Sequence, residues 1–283
     1  MHKQAPSATT PSPYRVAIIA GTGMLPVEAA RSLQASATPF FVLSLFPEDN
    51  GELLQAQTAY VISESVYKIS AILRLLKQHG ATHVLFIGKV DKRHLLKKLS
   101  YDWLLTKLLA KAAFKNDSDV MALLIQEMRT HGIETISQRE VLSNLFIQPG
   151  VLCGKVTPQL KIDVSLGMHV AEQLSTIDIG QTVVAKKGMV LAVEAIEGTD
   201  ECIARGIALG KKGVVVCKTA RASQSDQFDI PTLGPNTLAG ITPGQVAAFA
   251  WHSTRTMIAE YEKFVQMAEE REITLLCLAE ERC

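Results

Sequence analysis

Two polar segments carry the residue types that phosphate chemistry requires. In KTARASQSDQFDIPTLGPNT, residues 218–237, a strand ends at Cys217. A long loop then brings Lys218, Arg221, Gln224, Asp226 and Asp229 before Pro231 and Gly234 punctuate it. Loops of this length between regular elements are more often functional than filler. Asp229, flanked by the bulky Phe228 and Ile230 that can anchor the loop, is the acid to expect as a base or metal ligand. The bland alternative is an exposed turn aspartate close to a proline. In AVEAIEGTDECI, residues 192–203, Glu194, Glu197 and Asp200 gather where a strand gives way to a helix. Such carboxylates suit Mg²⁺, which takes one or two from a protein and completes its shell with phosphate oxygens and water. The competing reading is that Thr199 or Asp200 simply caps the helix.

Two shorter segments offer contacts to a phosphate. Gly21-Thr22-Gly23 lies between the apolar run Val16–Ala20 and a helix, where backbone N–H groups can approach an anion. The third glycine of the dinucleotide fingerprint is replaced by Pro26, a good helix start with no phosphate grip of its own. Ile87–Lys92 (IGKVDK) sits at the carboxyl end of another strand, the edge at which open α/β sheets bind ligands. Lys89 and Lys92 there either face a pyrophosphate or are solvated loop lysines.

A third feature is charge segregation. Between Lys89 and Lys115 there are eight basic residues and two acids, net +6 in a chain whose total is +1. Lys107, Lys111 and Lys115 share a helix face beside Leu105, Leu108, Leu109 and Ala112, with Trp103 near. A helix lying on an anionic membrane reads this way, and so does a core-facing helix with a solvated basic back.

Other chemistries lack their motifs. The sequence has no GxSxG elbow, HExxH, Walker loop or zinc-type Cys/His spacing, and its seven histidines are scattered singly. Five cysteines, with no CxxC pair, read as reduced thiols in a cytosolic protein. The chain has 283 residues, 47% hydrophobic and 20% charged, ordinary for a globular protein with its own core. Its near-neutral balance argues against nucleic acid bound over the whole surface. The opening MHKQAPSATTPSP has no apolar region of a signal peptide, and no apolar run reaches the length of a membrane span. A cytoplasmic protein is expected.

These segments need elements to position them. Strands are expected at Val16–Ala20, Phe40–Phe46, Tyr60–Ser63 and His83–Gly88, with helices over Val27–Ala35, Val66–His79 and from Asp117 or Ser118. Strands separated by single helices imply a mostly parallel sheet, covered on both faces. The Pro/Gly-punctuated FIQPGVLCGKVTP, residues 146–158, breaks the pattern. The expected organisation is a flexible tail over residues 1–13, a Rossmann-like domain over 14–148 and a mixed α/β domain over 149–283. In the second half, Lys186-Lys187-Gly188 between two apolar runs predicts a hairpin. A helix from Thr199, the strand GVVVCK and a closing strand–helix–strand follow.

The runs AGTGMLP and GKV, with the block GKVTP…DIGQTVVAKKGMVLAVEAIEGTDECI…FDIPTLGPNT, resemble the LpxI family of UDP-2,3-diacylglucosamine diphosphatases of lipid A biosynthesis. The resemblance covers Tyr14 to Ala279 and is densest in the second half. It implies a Rossmann-like N-terminal domain, a second α/β domain and the ligand between them. It also implies hydrolysis of UDP-2,3-diacylglucosamine to UMP and 2,3-diacylglucosamine 1-phosphate (lipid X), with water attacking the α-phosphorus and Mg²⁺ as the metal. By position it makes Asp229 the essential acid, seconded by Asp200, with Asp229 and Asp226 toward the metal. Gly21, Thr22, Gly23, Met24, Leu25, Lys89, Val90, Gln181 and Thr199 become substrate contacts, joined by Lys218 and Gln224 from the loop. A homodimer follows from the family alone, and a substrate in the inner leaflet gives the stretch Lys97–Lys115 a membrane surface to meet. The family carries an acid directly after the Gln and a basic residue two before the key Asp. Here Ser225 and Gln227 stand there, with Asp226 one place along. A weakened or lapsed member that still binds a lipid-linked sugar phosphate or nucleotide is the alternative.

Overall fold

A computed structural model describes residues 14–90, 101–111, 117–177, 179–220 and 225–280, with the backbone alone for 117–119. The segment 1–13 read as a flexible tail lies outside the described residues. The chain divides after Val141 into two compact units. The stretch read as a connector is partly structural: Ile147 packs on the core of the second unit, and Gly150–Cys153 is an edge strand of its sheet.

The first unit is built on a parallel sheet ordered β3-β2-β1-β4-β5. Its strands are β1 (Val16–Ala20), β2 (Phe40–Ser44), β3 (Val61–Ser63), β4 (His83–Ile87) and β5 (Glu134–Thr135). β1 is buried along its whole length, as a parallel strand covered on both faces must be, and this explains its unbroken apolar run. Helices Leu25–Ala35 and Ile69–Gln78 follow β1 and β3 as the periodicity predicts. Helix Pro47–Gln55 (PEDNGELLQ) was not read from the sequence, because only Leu54 and two small or polar residues are buried. Its start is nevertheless encoded: Pro47 sits in the first turn with Glu48 and Asp49, which suit the positive end of the helix dipole. Asp102 joins two helices through one carboxylate. Its Oδ1 accepts from the Leu105 amide at 2.8 Å, and its Oδ2 from the Ser70 amide at 2.6 Å. The basic helix Trp103–Lys111 turns Leu104, Leu105 and Leu108 inward, leaving Lys107 and Lys111 exposed. Lys97, Lys98 and Lys115 lie outside the described residues.

The second unit has a mixed six-stranded sheet ordered β6-β13-β11-β9-β7-β8. These are β6 (Gly150–Cys153), β7 (Thr182–Lys186), β8 (Met189–Val193), β9 (Val214–Lys218), β11 (Val246–His252) and β13 (Thr274–Leu278). The short strands β10 (Thr232–Leu233) and β12 (Met257–Ile258) pair separately. β9, β11 and β13 are parallel, while β7 and β8 form the predicted antiparallel hairpin. The alternation of VVVCK decides the two faces. Val215 and Cys217 meet Leu160, Val164 and Met168 of helix Pro158–Thr176. Val214 and Val216 join Ile203 of helix Thr199–Gly210 and Phe264 of helix Tyr261–Glu270.

The hairpin turn places Lys187 and Gly188 at φ 49° and 73°, the pairing a tight primed turn needs. Buried Asp163 fixes it by accepting the amides of Lys187 at 2.9 Å and Gly188 at 2.7 Å. Asp163→Ala leaves two turn amides unpaired and is expected to cost about 2–3 kcal/mol, read as a lowered urea midpoint. Cys153, Cys202, Cys217 and Cys277 are all buried and free. Burial pushes the thiols of Cys202 and Cys277 up to about 11 and that of Cys217 further. In the native protein these four are expected to resist iodoacetamide, with labelling appearing only on unfolding, as peptide mass analysis would show.

Among the described residues, no helix is long and apolar enough to cross a membrane.

Candidate active site

The polar centre of the second unit is built where β7, β8 and β9 end. Antiparallel pairing sets Thr182 opposite Lys218, the last residue of β9. The amide of Glu194 returns to the Thr182 carbonyl at 2.9 Å, so the chain leaves β8 beside the same point. Helix Thr199–Gly210 then starts there with Gly198 as its N-cap. The sequence expectation that Thr199 or Asp200 caps this helix is corrected: Gly198 occupies that position and no side chain caps it. The Thr199 hydroxyl has other work.

Thr199 Oγ1 donates to Glu194 Oε1 at 3.0 Å and accepts from Lys218 Nζ at 3.2 Å. Thr182 Oγ1 lies 3.4 Å away and, with the Thr199 proton already given to Glu194, serves as a further donor. One proton and two lone pairs are all a hydroxyl has, so the Thr199 side chain is saturated. Glu194 Oε2 also accepts the Gln181 amide at 3.3 Å. Lys218 is different. It is 7% exposed, yet among the described residues only Thr199 accepts from it, leaving two N–H groups open. Burial lowers the pKa of its ammonium below the usual lysine value, opposed by the carboxylates of Glu194, Asp200 and Asp229. A desolvated cation with open donors, ringed by acids, suits the oxygens of a phosphate.

The loop after β9 delivers its acids separately. Asp229 is exposed and lies within electrostatic reach of Lys218. Its turn is held by Ser225, whose carbonyl accepts the amides of Phe228 at 3.4 Å and Asp229 at 3.2 Å. The Ser225 hydroxyl accepts from Gln227 N at 3.2 Å. The residue that departs from the family pattern therefore shapes the turn. Ile230 and Pro231 are buried and anchor the loop, while Phe228 is half-buried. Asp226 is exposed on the same turn, and Asp200 is exposed in the first turn of its helix. Gln224 and Arg221 lie outside the described residues. Among the described residues no three His, Cys, Asp or Glu side chains gather as a metal cage. The donors near Lys218 are hard carboxylate oxygens, and Mg²⁺ needs only one or two of them when phosphate supplies others. Asp229 is one such donor, and Asp226 stands three residues before it on the same turn.

In the first unit the strand order reverses at β1, between β2 and β4, the position at which doubly wound sheets bind ligands. Two glycine turns meet there. Thr22 and Lys89 exchange backbone hydrogen bonds of 2.9 and 3.1 Å, and the Gly21 amide donates to Ile87 at 2.8 Å. The Gly23 amide donates to Asp49 Oδ2 at 2.7 Å, while Asn50 Nδ2 donates to the carbonyls of Gly21 and Gly23, each at 2.9 Å. The three amides that the sequence offers to a phosphate are thus spent inside the protein. Gly21 and Thr22 give theirs to the chain at the end of β4, and Gly23 gives its own to the first turn of the unforeseen helix Pro47–Gln55, which supplies the carboxylate. Met24 and Leu25 begin helix Leu25–Ala35, and Lys89 and Val90 are exposed at the sheet edge. Among the described residues Lys89 remains as a cation there, and Lys92 lies outside them. A Cβ on Gly21 would stand 2.7 Å from the Lys89 carbonyl and 2.8 Å from the Gly88 carbonyl carbon, both backbone. Gly21→Ala is expected to cost about 1–3 kcal/mol, seen as a lower melting temperature.

Sequence reasoning did not single out His252, Glu172 or Thr219. Glu172 and His252 pair at 2.8 Å across 80 residues of chain, and no local signal marks such a pair.

Comparison with known proteins agrees with this architecture. The LpxI N-terminal domain family matches residues 15–145 and the LpxI C-terminal domain family matches residues 148–276. The UDP-2,3-diacylglucosamine pyrophosphatase LpxI of Caulobacter vibrioides is 28% identical over 270 residues, spanning 90% of this chain and 94% of that protein. With both of its domains matched in order and almost end to end, this chain belongs to the LpxI family.

Proposed function

We propose that this chain hydrolyses the pyrophosphate bond of UDP-2,3-diacylglucosamine to UMP and lipid X, with water attacking the α-phosphorus. The observation that carries the reading is Lys218: a buried ammonium with open N–H groups, facing Glu194, Asp200 and Asp229, in a member of this family. A pyrophosphate repels nucleophiles, so hydrolysis requires positive charge on the non-bridging oxygens and a positioned water. Lys218 Nζ supplies fixed positive charge and donates to those oxygens. Thr199 and Glu194 hold the ammonium in place. The Asp229 carboxylate orients the attacking water and accepts its proton, or shares in holding the metal with Asp226, and Asp200 adds a second acid at the helix start. When bound there, Mg²⁺ supplies further charge neutralisation on the phosphate. The family resemblance also makes Gly21, Thr22, Gly23, Met24, Leu25, Lys89 and Val90 substrate contacts; the amides of Gly21, Thr22 and Gly23 are already bonded, so such contacts would fall to side chains and bare glycine Cα surfaces. The test is purified protein with UDP-2,3-diacylglucosamine, in Mg²⁺ or EDTA, with UMP and lipid X quantified. Absence of both products would sink the hydrolase reading and leave the binding-only alternative.

The proposal extends to the setting of the reaction. Trp103 is 74% exposed with the Lys107 ammonium 5.0 Å from its ring centroid, and Lys111 lies one turn on. An exposed aromatic beside lysines suits the headgroup layer of an anionic membrane. Lys107→Glu combined with Lys111→Glu is expected to weaken sedimentation with anionic vesicles severalfold while leaving turnover of detergent-dispersed substrate unchanged. Homodimerisation belongs to the same proposal and is read by light scattering.

A further inference from the structure

Opposite the face that holds Lys218, the same sheet edge carries a second polar row. Thr182, Lys218 and Trp251 stand side by side on β7, β9 and β11. One residue outward, Gln181 and Thr219 are joined by a backbone hydrogen bond of 2.9 Å, and His252 comes next across β9 and β11. Because side chains alternate along strands, this row shares the face of Cys217 and Ala250, the one covered by helix Pro158–Thr176. The bond of His252 Nε2 to Glu172 of that helix agrees with this placement.

Each member of the row has a buried polar atom without a hydrogen-bond partner among the described residues: Gln181 Oε1, Thr219 Oγ1 and His252 Nδ1. Thr219 is 1% and His252 8% exposed. Buried polar atoms left open are uncommon in native proteins, since each costs free energy. Three on adjacent strands of one edge form a group. With Nε2–H directed at the Glu172 carboxylate, a neutral His252 ring offers Nδ1 as an acceptor. Gln181 Oε1 is an acceptor, and the Thr219 hydroxyl can play either part. Among the described residues the charges around His252 are the carboxylates of Glu172 and Glu280, and Arg255 is paired to Glu280. Lys218 points to the other face. Among the described residues the row is therefore rich in acceptors and poor in free cations, which disfavours a phosphate.

We infer that Gln181, Thr219 and His252 form a subsite for an uncharged, donor-bearing group, O–H or N–H, with Glu172 as the positioning residue that fixes the His252 ring. The inference rests on the proposed reaction and assigns the neutral part of its substrate. That chemistry occurs both in the nucleoside, with ribose hydroxyls and the uracil imide, and in the acylated glucosamine, with its hydroxyl and amide groups.

The test measures UMP and lipid X separately, by calorimetric titration of the metal-free full-length protein and its variants. Thr219→Val keeps shape and removes the hydroxyl, and Gln181→Met keeps length and removes the amide. Each is expected to weaken one of the two ligands roughly fivefold to tenfold, as loss of a hydrogen bond in a shielded site should. Weakening confined to UMP places the nucleoside here, and weakening confined to lipid X places the sugar. Unchanged affinity for both in both variants overturns the inference. Glu172→Gln, which keeps a hydrogen-bond acceptor for the ring, is expected to retain binding where Glu172→Leu loses it, and equal loss in both counts against the positioning role. If Thr219→Val fails to melt cooperatively, Gln181→Met at the half-exposed end of the row decides the matter. Wild-type release of UMP is assayed in parallel, so an inactive protein that binds normally counts against the reaction and not the subsite.

Discussion

Asp229→Asn is expected to reduce UMP release by about three orders of magnitude or more while leaving the melting temperature within a degree or two. The substitution keeps size and hydrogen-bonding ability and removes only the charge. Asp229 is exposed, and its turn is held through main-chain bonds to Ser225 and by the buried Ile230 and Pro231. The same variant separates two roles. If Asp229 helps hold the metal, raising Mg²⁺ restores part of the rate, and half-maximal activity shifts to higher Mg²⁺. If it accepts the proton of water, added metal restores nothing and the acid limb of the pH–rate profile disappears. An Asp229→Asn protein with ordinary turnover would remove this residue from the mechanism altogether. Asp226, one turn away, is the only other acid of the loop, and Asp226→Asn is expected to fall between the variant and the wild type.

Lys218→Met is expected to lower kcat/KM by about 10²–10³-fold, in the range seen when one charge-stabilising donor is removed from a shielded site. Lys218→Arg keeps the cation and is expected to recover part of it. Two signs with opposite pH dependence make the assignment specific. Burial lowers the Lys218 pKa, so its ammonium is lost earlier as pH rises than in an exposed lysine, and the alkaline limb of activity falls at correspondingly lower pH. Stability moves the other way. Between the lowered folded value and the ordinary unfolded one, the unfolded chain binds more protons, so unfolding free energy from this group rises with pH across that window. Activity falling while stability rises excludes alkaline unfolding as the cause. Both trends should vanish in Lys218→Met, and survival of the alkaline limb in that variant would assign it to another group.

The sequence by itself determined the α/β class, the parallel first sheet and the hairpin of the second unit. The reason is that these depend on short-range order. Runs such as VAIIA, HVLFI and GVVVCK are apolar on both sides because both faces are covered, and Lys187-Gly188 can turn tightly wherever it stands. The acidic loop and a helix beginning at Thr199 were legible for the same reason, though its Gly198 cap was not. Less was visible where burial is slight. Helix Pro47–Gln55 hides few apolar residues, and β6 is an edge strand with two of its four residues exposed, so neither leaves a clear period.

What a charged or polar group does was decided only by the tertiary structure. The sequence offers Lys218 as a polar loop residue and substrate contact, but only the closing of β7, β8 and helix Thr199–Gly210 around it turns it into a desolvated cation. The glycine turn reads as a phosphate cradle until Asp49, 26 residues on, takes the Gly23 amide. Thr199 reads as a cap or a ligand contact until Lys218, Glu194 and Thr182 use all of its bonding capacity. Hydrogen-bonding capacity and desolvation belong to the set of neighbours in space, and residues far apart in the chain become neighbours only when the sheet assembles.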